Sequence, residues 1–200
     1  MPRAQPYDRD AALDAALTLF WRKGYYATSL KDIEVALNMK PGSIYAAFNS
    51  KETLFGLTLE RYFRKQHAEF VSTLKAVESP LQGLAEYLRR FARLPLDDPQ
   101  RSSCMLVKTL LGATEQDAKL GELAGQYIDQ MIAEMAAAFE QAKQLGELPG
   151  NADADHLARR YQADLTALGF EASRRISREK LAVSAEELAQ KIEAMRVRPA

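Results

Sequence analysis

The chain has 200 residues, of which 47% are hydrophobic and 27% are charged, a composition typical of folded globular proteins rather than of disordered or fibrous ones. Charged side chains interrupt every apolar run, so no segment approaches the roughly 20 apolar residues that a membrane span requires, and we expect no membrane partner. The 27 basic and 27 acidic residues cancel, so any recognition of nucleic acid must come from a local patch and not from net charge.

Cysteine and histidine are too scarce to predict a metal site. The single cysteine, Cys104, excludes an intrachain disulfide and a thiolate cluster. His67 and His156 show no metal-ligand spacing, and we therefore predict no metal and no cofactor. The first six residues are not followed by an apolar stretch that resembles a signal peptide, which makes the cytoplasm the expected location.

The sequence predicts an all-α fold, because helix-favouring residues dominate and no region alternates apolar and polar residues over a useful length. Turn and capping signals divide the chain into about nine helices. A loop with two prolines, Pro95–Pro99, separates the fifth from the sixth, and the last is expected to open with a capping box at Ser184. The predicted helices are Asp8–Lys23, Ser29–Leu37, Gly42–Phe48, Lys51–Lys75, Ser79–Phe91, Ser103–Gly112, Asp117–Leu145, Asp153–Ile176 and Ser184–Met195.

The second and third of these helices have the spacing of a helix-turn-helix. Ser29 and Asp32 form a capping-box-like start. Asn38 tolerates the left-handed conformation of a tight turn, and Pro41 suits the first turn of the next helix. About three residues separate the two helices, as in DNA-binding helix-turn-helix units.

A change from short to long helices near residue 50 marks a domain boundary. Ser50 caps the long fourth helix directly after Asn49, so we predict no flexible linker. The expected domains are residues 1–50, which contain the helix-turn-helix, and residues 51–200.

The third helix has small side chains where a recognition helix needs them. Gly42, Ser43, Ala46 and Ala47 leave room for the helix backbone to enter a major groove about 12 Å wide. Lysines flank this helix at positions 40 and 51, where an ammonium can meet phosphate.

Residues 24–55 resemble the DNA-binding domain of the tetracycline-repressor family. One departure is Asn38-Met39, where the family usually has a glycine in the turn, and the tolerance of asparagine for left-handed geometry makes it mild. The residues that carry the resemblance are Gly24-Tyr25, Thr28-Ser29, Ile33, Ala36, Gly42-Ser43-Ile44-Tyr45, Phe48, Lys51 and Leu54.

The resemblance implies a homodimeric regulator that binds double-stranded operator DNA and is released by a small-molecule effector. It places Thr28, Tyr45 and Lys51 at phosphates, although Thr28 has the alternative role of capping the second helix, and Tyr45 that of packing on the first helix. Ile44 and Phe48 are assigned to the core with Leu17, Phe20, Ile33 and Leu37. The complete predicted DNA-binding set is Thr28, Ser29, Lys40, Gly42, Ser43, Tyr45, Ala46 and Lys51.

In this family the last two long helices pair with their copies in a four-helix dimer interface. The apolar stripes of the eighth and ninth helices have helical spacing suited to that burial, with packing inside one subunit as the alternative. The stripes consist of Leu157, Tyr161, Leu165, Leu168, Ala172, Leu188, Ile192 and Met195.

The effector pocket of the family lies among the middle helices. Aromatic residues with few polar partners are the candidates there, and the alternative is that most of them are ordinary core. The predicted effector-binding residues are Tyr62, Phe63, His67, Tyr87, Phe91, Cys104, Met105, Lys108 and Tyr127.

Cys104 opens a helix near Arg101 and Lys108, a setting that favours a thiolate. Some family members sense electrophiles through a cysteine in a Gly-Cys-Leu segment at this place. Here Ser103 replaces that glycine, and an inert, buried cysteine is the competing interpretation.

Two further functions compete with DNA-dependent regulation. One is an all-α thiol-dependent enzyme or detoxification protein centred on Cys104, which no acid–base pair accompanies in the sequence. The other is a helical binding protein that does not contact DNA.

Overall fold

The structure is a computed structural model that describes residues 8–94, 104–174 and 176–197. Over these ranges the chain forms nine α-helices and one short 3-10 turn at Glu115–Asp117, without strands, which confirms the all-α prediction. The helices are α1 Arg9–Lys23, α2 Leu30–Leu37, α3 Pro41–Phe48, α4 Lys51–Lys75, α5 Pro80–Arg93, α6 Met105–Gly112, α7 Ala118–Gln144, α8 Ala154–Ser173 and α9 Arg178–Glu193.

Local capping accounts for the first three helices. The Asp8 side chain accepts hydrogen bonds from the backbone N–H groups of Asp10 and Ala11 at the start of α1. Ser29 and Asp32 form a reciprocal capping box on α2, with distances of 3.2 and 2.7 Å. Asn38 adopts φ 51 and ψ 44, the left-handed conformation predicted for the turn.

Several predicted boundaries are wrong at the C-terminal end. Helix α9 begins at Arg178 rather than at Ser184, because Ser177 caps it by accepting a hydrogen bond from the backbone N–H of Lys180. The predicted capping box at Ser184 lies inside this helix. Helix α8 ends at Ser173, three residues before Ile176. The predicted loop at residues 95–99 and the start of the predicted sixth helix at Ser103 lie outside the described residues.

The N-terminal helices do not pack as an isolated unit. Their core contains the expected residues Leu17, Phe20, Ile33, Leu37, Ile44 and Phe48, and it continues into α4, α6 and α7. Met105 and Leu106 of α6 and Leu120 of α7 are buried in the same cluster. The helix-turn-helix is therefore held directly by the helices behind it.

A second core lies between α5, α7, α8 and α9. Tyr161 is 1% exposed there and donates a hydrogen bond from Oη to the carbonyl oxygen of Leu84 at 2.7 Å. Helices α4 and α5 approach closely at Gly83, where a Cβ atom would lie 3.0 Å from Leu74 Cα. Helix α4, which is 25 residues long, joins the two cores through Leu59 and Phe70.

The residues of the predicted dimer stripes pack on this second core within the chain, four of them fully and four of them partly buried. Tyr161, Leu168 and Ile192 are 1%, 2% and 4% exposed within a single chain. Packing within one subunit therefore accounts for the buried residues of the set, and a role of the partly exposed ones in the dimer stays a prediction. All eight stripe residues belong to the second core or pack against it: Leu157, Tyr161, Leu165, Leu168, Ala172, Leu188, Ile192 and Met195.

None of the described helices combines the length and the apolar character needed to cross a membrane.

Candidate nucleic-acid interface and ligand cavity

Helix α3 presents a smooth, uncharged outer face. Ile44 and Phe48 point inward and are 4% and 2% exposed. Tyr45 is 52% exposed, so its ring does not pack into the first helix as the alternative prediction required. We call the exposed residues Gly42, Ser43, Tyr45 and Ala46 the α3 outer face.

Gly42 has no internal reason to be a glycine. A Cβ atom at this position would meet nothing within 4 Å, and the backbone is helical. Glycine in a helix costs about 0.5–1 kcal/mol relative to alanine, and the fold gains no close approach in return. Packing within the described residues therefore does not require the absence of a side chain at this position.

The turn between α1 and α2 is stabilised by side-chain hydrogen bonds. Thr28 is 1% exposed, and its hydroxyl donates a hydrogen bond to the carbonyl oxygen of Gly24 at 2.6 Å. The structure thus gives the Thr28 side chain the role of bracing the turn, and its predicted phosphate contact stays a prediction. Ser29 is exposed, and its hydroxyl is engaged by Asp32 in the capping box. Lys23 pairs with the same carboxylate at 2.6 Å, and these contacts hold the pKa of Asp32 far below its usual range.

The two predicted lysines differ in their surroundings. Lys40 is exposed at the N-cap of α3. Lys51 lies at the start of α4 with its Nζ 4.4 Å from the centre of the Tyr25 ring, a cation–π contact, and burial lowers the pKa of Lys51. The ring therefore holds the ammonium in place beside the first turn of α4.

A salt-bridge cluster that the sequence analysis missed joins α1 to α4. The Arg61 guanidinium binds both carboxylate oxygens of Asp14 at 2.7 Å and one of Asp10 at 2.8 Å. Hydrogen bonding from Arg61 lowers the pKa of Asp14. No local sequence pattern predicts this cluster, because the partners are separated by 47 and 51 positions along the chain. It fixes the orientation of α1 on α4.

A cavity of about 270 Å³ lies between α4, α5, α6, α7 and α8, and we call it the core cavity. Five of the nine predicted effector residues line it: Tyr62, Tyr87, Phe91, Cys104 and Lys108. The remaining lining residues were not predicted, since nothing in an ordinary apolar helical stripe distinguishes a cavity wall from a filled core. They are Gln66, Arg90, Leu94, Leu106, Val107, Leu111, Ile128, Met131, Met135, Gln162, Leu165, Thr166, Gly169 and Phe170.

The other four predicted effector residues do not line the core cavity. Phe63 and Tyr127 stack on each other with ring centres 4.7 Å apart. The Nε2 atom of His67 lies 3.3 Å from a carboxylate oxygen of Glu134. Met105 is 3% exposed in the first core. The effector role predicted for these four residues finds no support in the core cavity and stays a prediction.

The polar groups on the wall of the core cavity are mainly hydrogen-bond donors. Burial raises the pKa values of Tyr62 and Tyr87, so both phenols stay neutral donors. The Nε2 atom of Gln66 is buried without a hydrogen-bond partner. Arg90 is already paired with Glu69 at 2.7 Å. Lys108 is an exposed residue whose ammonium lies close enough to apolar atoms that burial lowers its pKa.

Cys104 is partly buried at the N-cap of α6 and contacts the Tyr62 phenol. Its described neighbours thus include the neutral Tyr62 phenol on the cavity wall and the Lys108 ammonium, which lies close enough to interact electrostatically with it. Among the described residues no cluster of His, Cys, Asp and Glu is arranged to hold a metal ion.

Helix α6 separates the core cavity from a second one. This junction cavity, of about 380 Å³, lies between the end of α1 with the turn that follows it, α4 at Phe55, α6 and the 3-10 turn at Asp117. Lys108 lines both cavities, whereas Thr109 and Trp21 line the junction cavity alone. Tyr62 of the core cavity packs edge-on against Trp21 of α1 at 4.7 Å. A change in the core cavity therefore reaches α1 through direct contacts.

Comparison with known proteins gives consistent matches. The family model described as bacterial regulatory proteins, tetR family, matches residues 12–57. The transcriptional repressor ComR of Escherichia coli K12 is 32% identical over 90% of this chain and 86% of its own length. The repressor BdcR of the same organism is 29% identical over 62% of each chain. A cysteine mutant of the regulator CifR, solved with 26-base-pair operator DNA, superposes with a TM-score of 0.85 at 29% identity, covering 95% of this chain and 98% of CifR.

Proposed function

Because this chain belongs to the tetR family of bacterial regulatory proteins and is a transcriptional regulator, we propose that it represses transcription by binding operator DNA as a homodimer. A small molecule in the core cavity releases it. Its action is binding and not catalysis, and it takes place in the cytoplasm, where the operator is. The observation that carries the proposal is the α3 outer face, whose glycine is small for no internal reason.

The α3 outer face enters the major groove in this proposal. Gly42, Ser43 and Ala46 bring the helix backbone close to the base edges, and Lys40 reaches them from the end of the helix. Phosphates are held by the Tyr45 hydroxyl, by Ser29 and by the Lys51 ammonium beside the N-terminal turn of α4, where backbone N–H groups favour an anion. The absence of acidic residues from α3 keeps this surface free of repulsion.

The dimer forms through the outer side of α8 and α9. Ala163 and Ala167 are exposed and lie one turn apart on α8. Phe170 and Val183 are 60% and 58% exposed on the same two helices. Small residues beside apolar ones allow two helices to approach closely and bury a seam. A symmetric pair then reads two half-sites about 34–36 Å apart.

Release requires that the effector bind the two arrangements of the dimer unequally. The core cavity touches α1 through the contact of Tyr62 with Trp21, and it touches the first core through α6. A ligand that moves α6 or Tyr62 therefore changes the angle at which α1–α3 are held. The separation of the two α3 outer faces then no longer matches the half-sites.

The proposal is tested by fluorescence anisotropy with the full chain and labelled DNA from upstream of its own gene and of the neighbouring gene. We expect saturable binding that survives excess random-sequence competitor and weakens steeply as salt is raised, because phosphate contacts release counterions. Binding that random DNA competes away, or no binding at all, would refute the proposed function.

Electrophile sensing by Cys104 stays a prediction. The thiol lies on the wall of the core cavity next to Tyr62, so an electrophile that enters the cavity meets it. We expect N-ethylmaleimide to release operator DNA from the wild-type protein and to leave the Cys104→Ser variant bound, as measured by anisotropy. Equal release from both proteins would assign the effect to other groups.

A further inference from the structure

The described wall of the core cavity has cationic groups and no acidic one. Two lining residues are basic, Arg90 and Lys108, and the other described lining residues are neutral. Glu69 compensates Arg90 at 2.7 Å and is not itself a lining residue. Lys108 pairs with no acidic side chain among the described residues, so one positive charge of the wall is uncompensated there.

Most of the remaining wall is apolar, with Gln66, Gln162 and Thr166 as neutral polar residues, and its inner part is buried. Leu106, Met131 and Met135 are 3%, 7% and 1% exposed. Lys108 stands one helical turn before Leu111, which is 80% exposed, so this side of α6 faces the opening of the cavity. A cationic group at the opening and a hydrocarbon interior form an amphipathic site.

An uncompensated cation beside apolar walls favours an anionic partner, because pairing offsets the cost of its partial desolvation. The buried Nε2 donor of Gln66 has no partner either, and a carboxylate or a similar acceptor-rich group would supply one. A cationic or donor-rich ligand would instead leave both of these groups unsatisfied.

Resting on the proposed function, we propose that the effector is a small apolar anion, with its anionic head group at Lys108 and its hydrocarbon body between α5, α7 and α8. The head group keeps some contact with water at the opening, and the body displaces water from the apolar wall. Binding draws α6, which carries Lys108, toward the ligand. The same helix buries Met105 in the core of the DNA-binding helices, which supplies the route to release.

The test compares sodium octanoate with octanamide, a neutral probe of the same length, by isothermal titration calorimetry on the full chain. We expect octanoate to bind at least tenfold more tightly, and the difference to shrink as salt is raised. We expect Lys108→Met to abolish the difference and Gln66→Leu to reduce it several-fold.

Two controls separate the site from general charge and from the junction cavity. Lys75→Met removes the same charge from an exposed position at the end of α4, and Thr109→Val alters only the junction cavity. Both are expected to bind octanoate as the wild type does. Equal affinity for the two probes, a preference that survives in Lys108→Met, failure of both probes to bind, or loss of binding in Thr109→Val would each overturn the inference. Operator binding measured on the same samples shows whether the proposed function stands independently.

Discussion

The α3 outer face and the core cavity represent two different ways of building a binding site. The first consists of one helix of eight residues whose outward positions follow each other along the chain. The second is assembled from five helices, and its lining residues extend from Tyr62 to Phe170. The difference shows that a surface which reads a constant partner can be encoded locally, whereas an enclosed site depends on how distant helices pack.

Replacing Gly42 by leucine should break the local site with the largest effect. A Cβ atom there has nothing within 4 Å, so the added side chain extends from a backbone position that is open. The free energy of unfolding should therefore stay equal or rise, because leucine favours a helix by up to about 1 kcal/mol over glycine. Operator affinity should fall about 100-fold, because a bulky side chain keeps the backbone out of the groove.

Anisotropy and thermal unfolding of this variant measure the two quantities separately. Gly150→Leu is the matched control, since a Cβ atom there also meets open space but the position lies in the loop before α8. Undiminished operator binding by Gly42→Leu would place the DNA surface elsewhere.

The contrast between the two sites also explains what the sequence did and did not predict. The helix-turn-helix was readable because Ser29, Asn38 and Pro41 act on their immediate neighbours, and the structure shows each in its expected role. Ile44 and Phe48 were correctly assigned to the core. The hydrogen bond from Thr28 to the Gly24 carbonyl was not predicted, because it crosses a turn whose geometry the sequence does not give.

In the cavity-bearing part, periodicity identified buried faces but not what they face. Tyr161 and Leu168 have the spacing of an interface, yet they contact the second core, because a buried stripe looks the same whether its partner is a second subunit or another helix. Phe63 and Tyr127 stack on each other, and the aromatic content of the sequence does not predict this pairing. The Ser184 capping box was equally plausible as the start of a helix, but Ser177 begins α9 earlier.

Disrupting the proposed dimer tests whether a single α3 outer face is sufficient for operator binding. Ala167→Arg places a charge on the exposed side of α8 without disturbing the core. We expect a monomer in sedimentation experiments and operator affinity at least tenfold lower, because one helix-turn-helix makes too few contacts. Ala137→Arg, at an exposed position of α7, is the control. A dimer that persists in Ala167→Arg would exclude this seam.

Removing the salt-bridge cluster that holds α1 on α4 should have a smaller effect on operator binding. Arg61→Met removes the guanidinium that binds Asp14 and Asp10, so α1 loses its fixed orientation on α4. We expect the free energy of unfolding to fall by about 1 kcal/mol. Exposed ion pairs usually contribute less than this, but the bidentate geometry of the Arg61–Asp14 pair makes it stronger than most.

Operator affinity of Arg61→Met should fall about fivefold, whereas ligand binding in the core cavity should not change. Since Arg61 lowers the pKa of Asp14, the stability difference between wild type and variant should be complete at neutral pH. It should decrease as the pH falls below the usual range of an aspartate. Anisotropy and urea unfolding at two pH values measure both effects, and a variant that also loses ligand binding would contradict the separation of the two regions.

The smallest expected effect concerns an ion pair between α5 and α9 whose residues do not line the core cavity. Arg89 of α5 binds Glu186 of α9 through two hydrogen bonds of 2.7 and 2.9 Å, and this lowers the pKa of Glu186 from 4.5 to about 2. A carboxylate with a lowered pKa stabilises the fold above its ordinary pKa, and this contribution disappears as the pH falls from 4.5 to about 2. Glu186→Gln should therefore lower the urea midpoint slightly at pH 7 and less at pH 3, with operator affinity unchanged. Because α9 also forms the proposed dimer seam through Val183, an altered sedimentation coefficient in this variant would show that the Arg89 pair supports the dimer and not only the packing of α5 on α9.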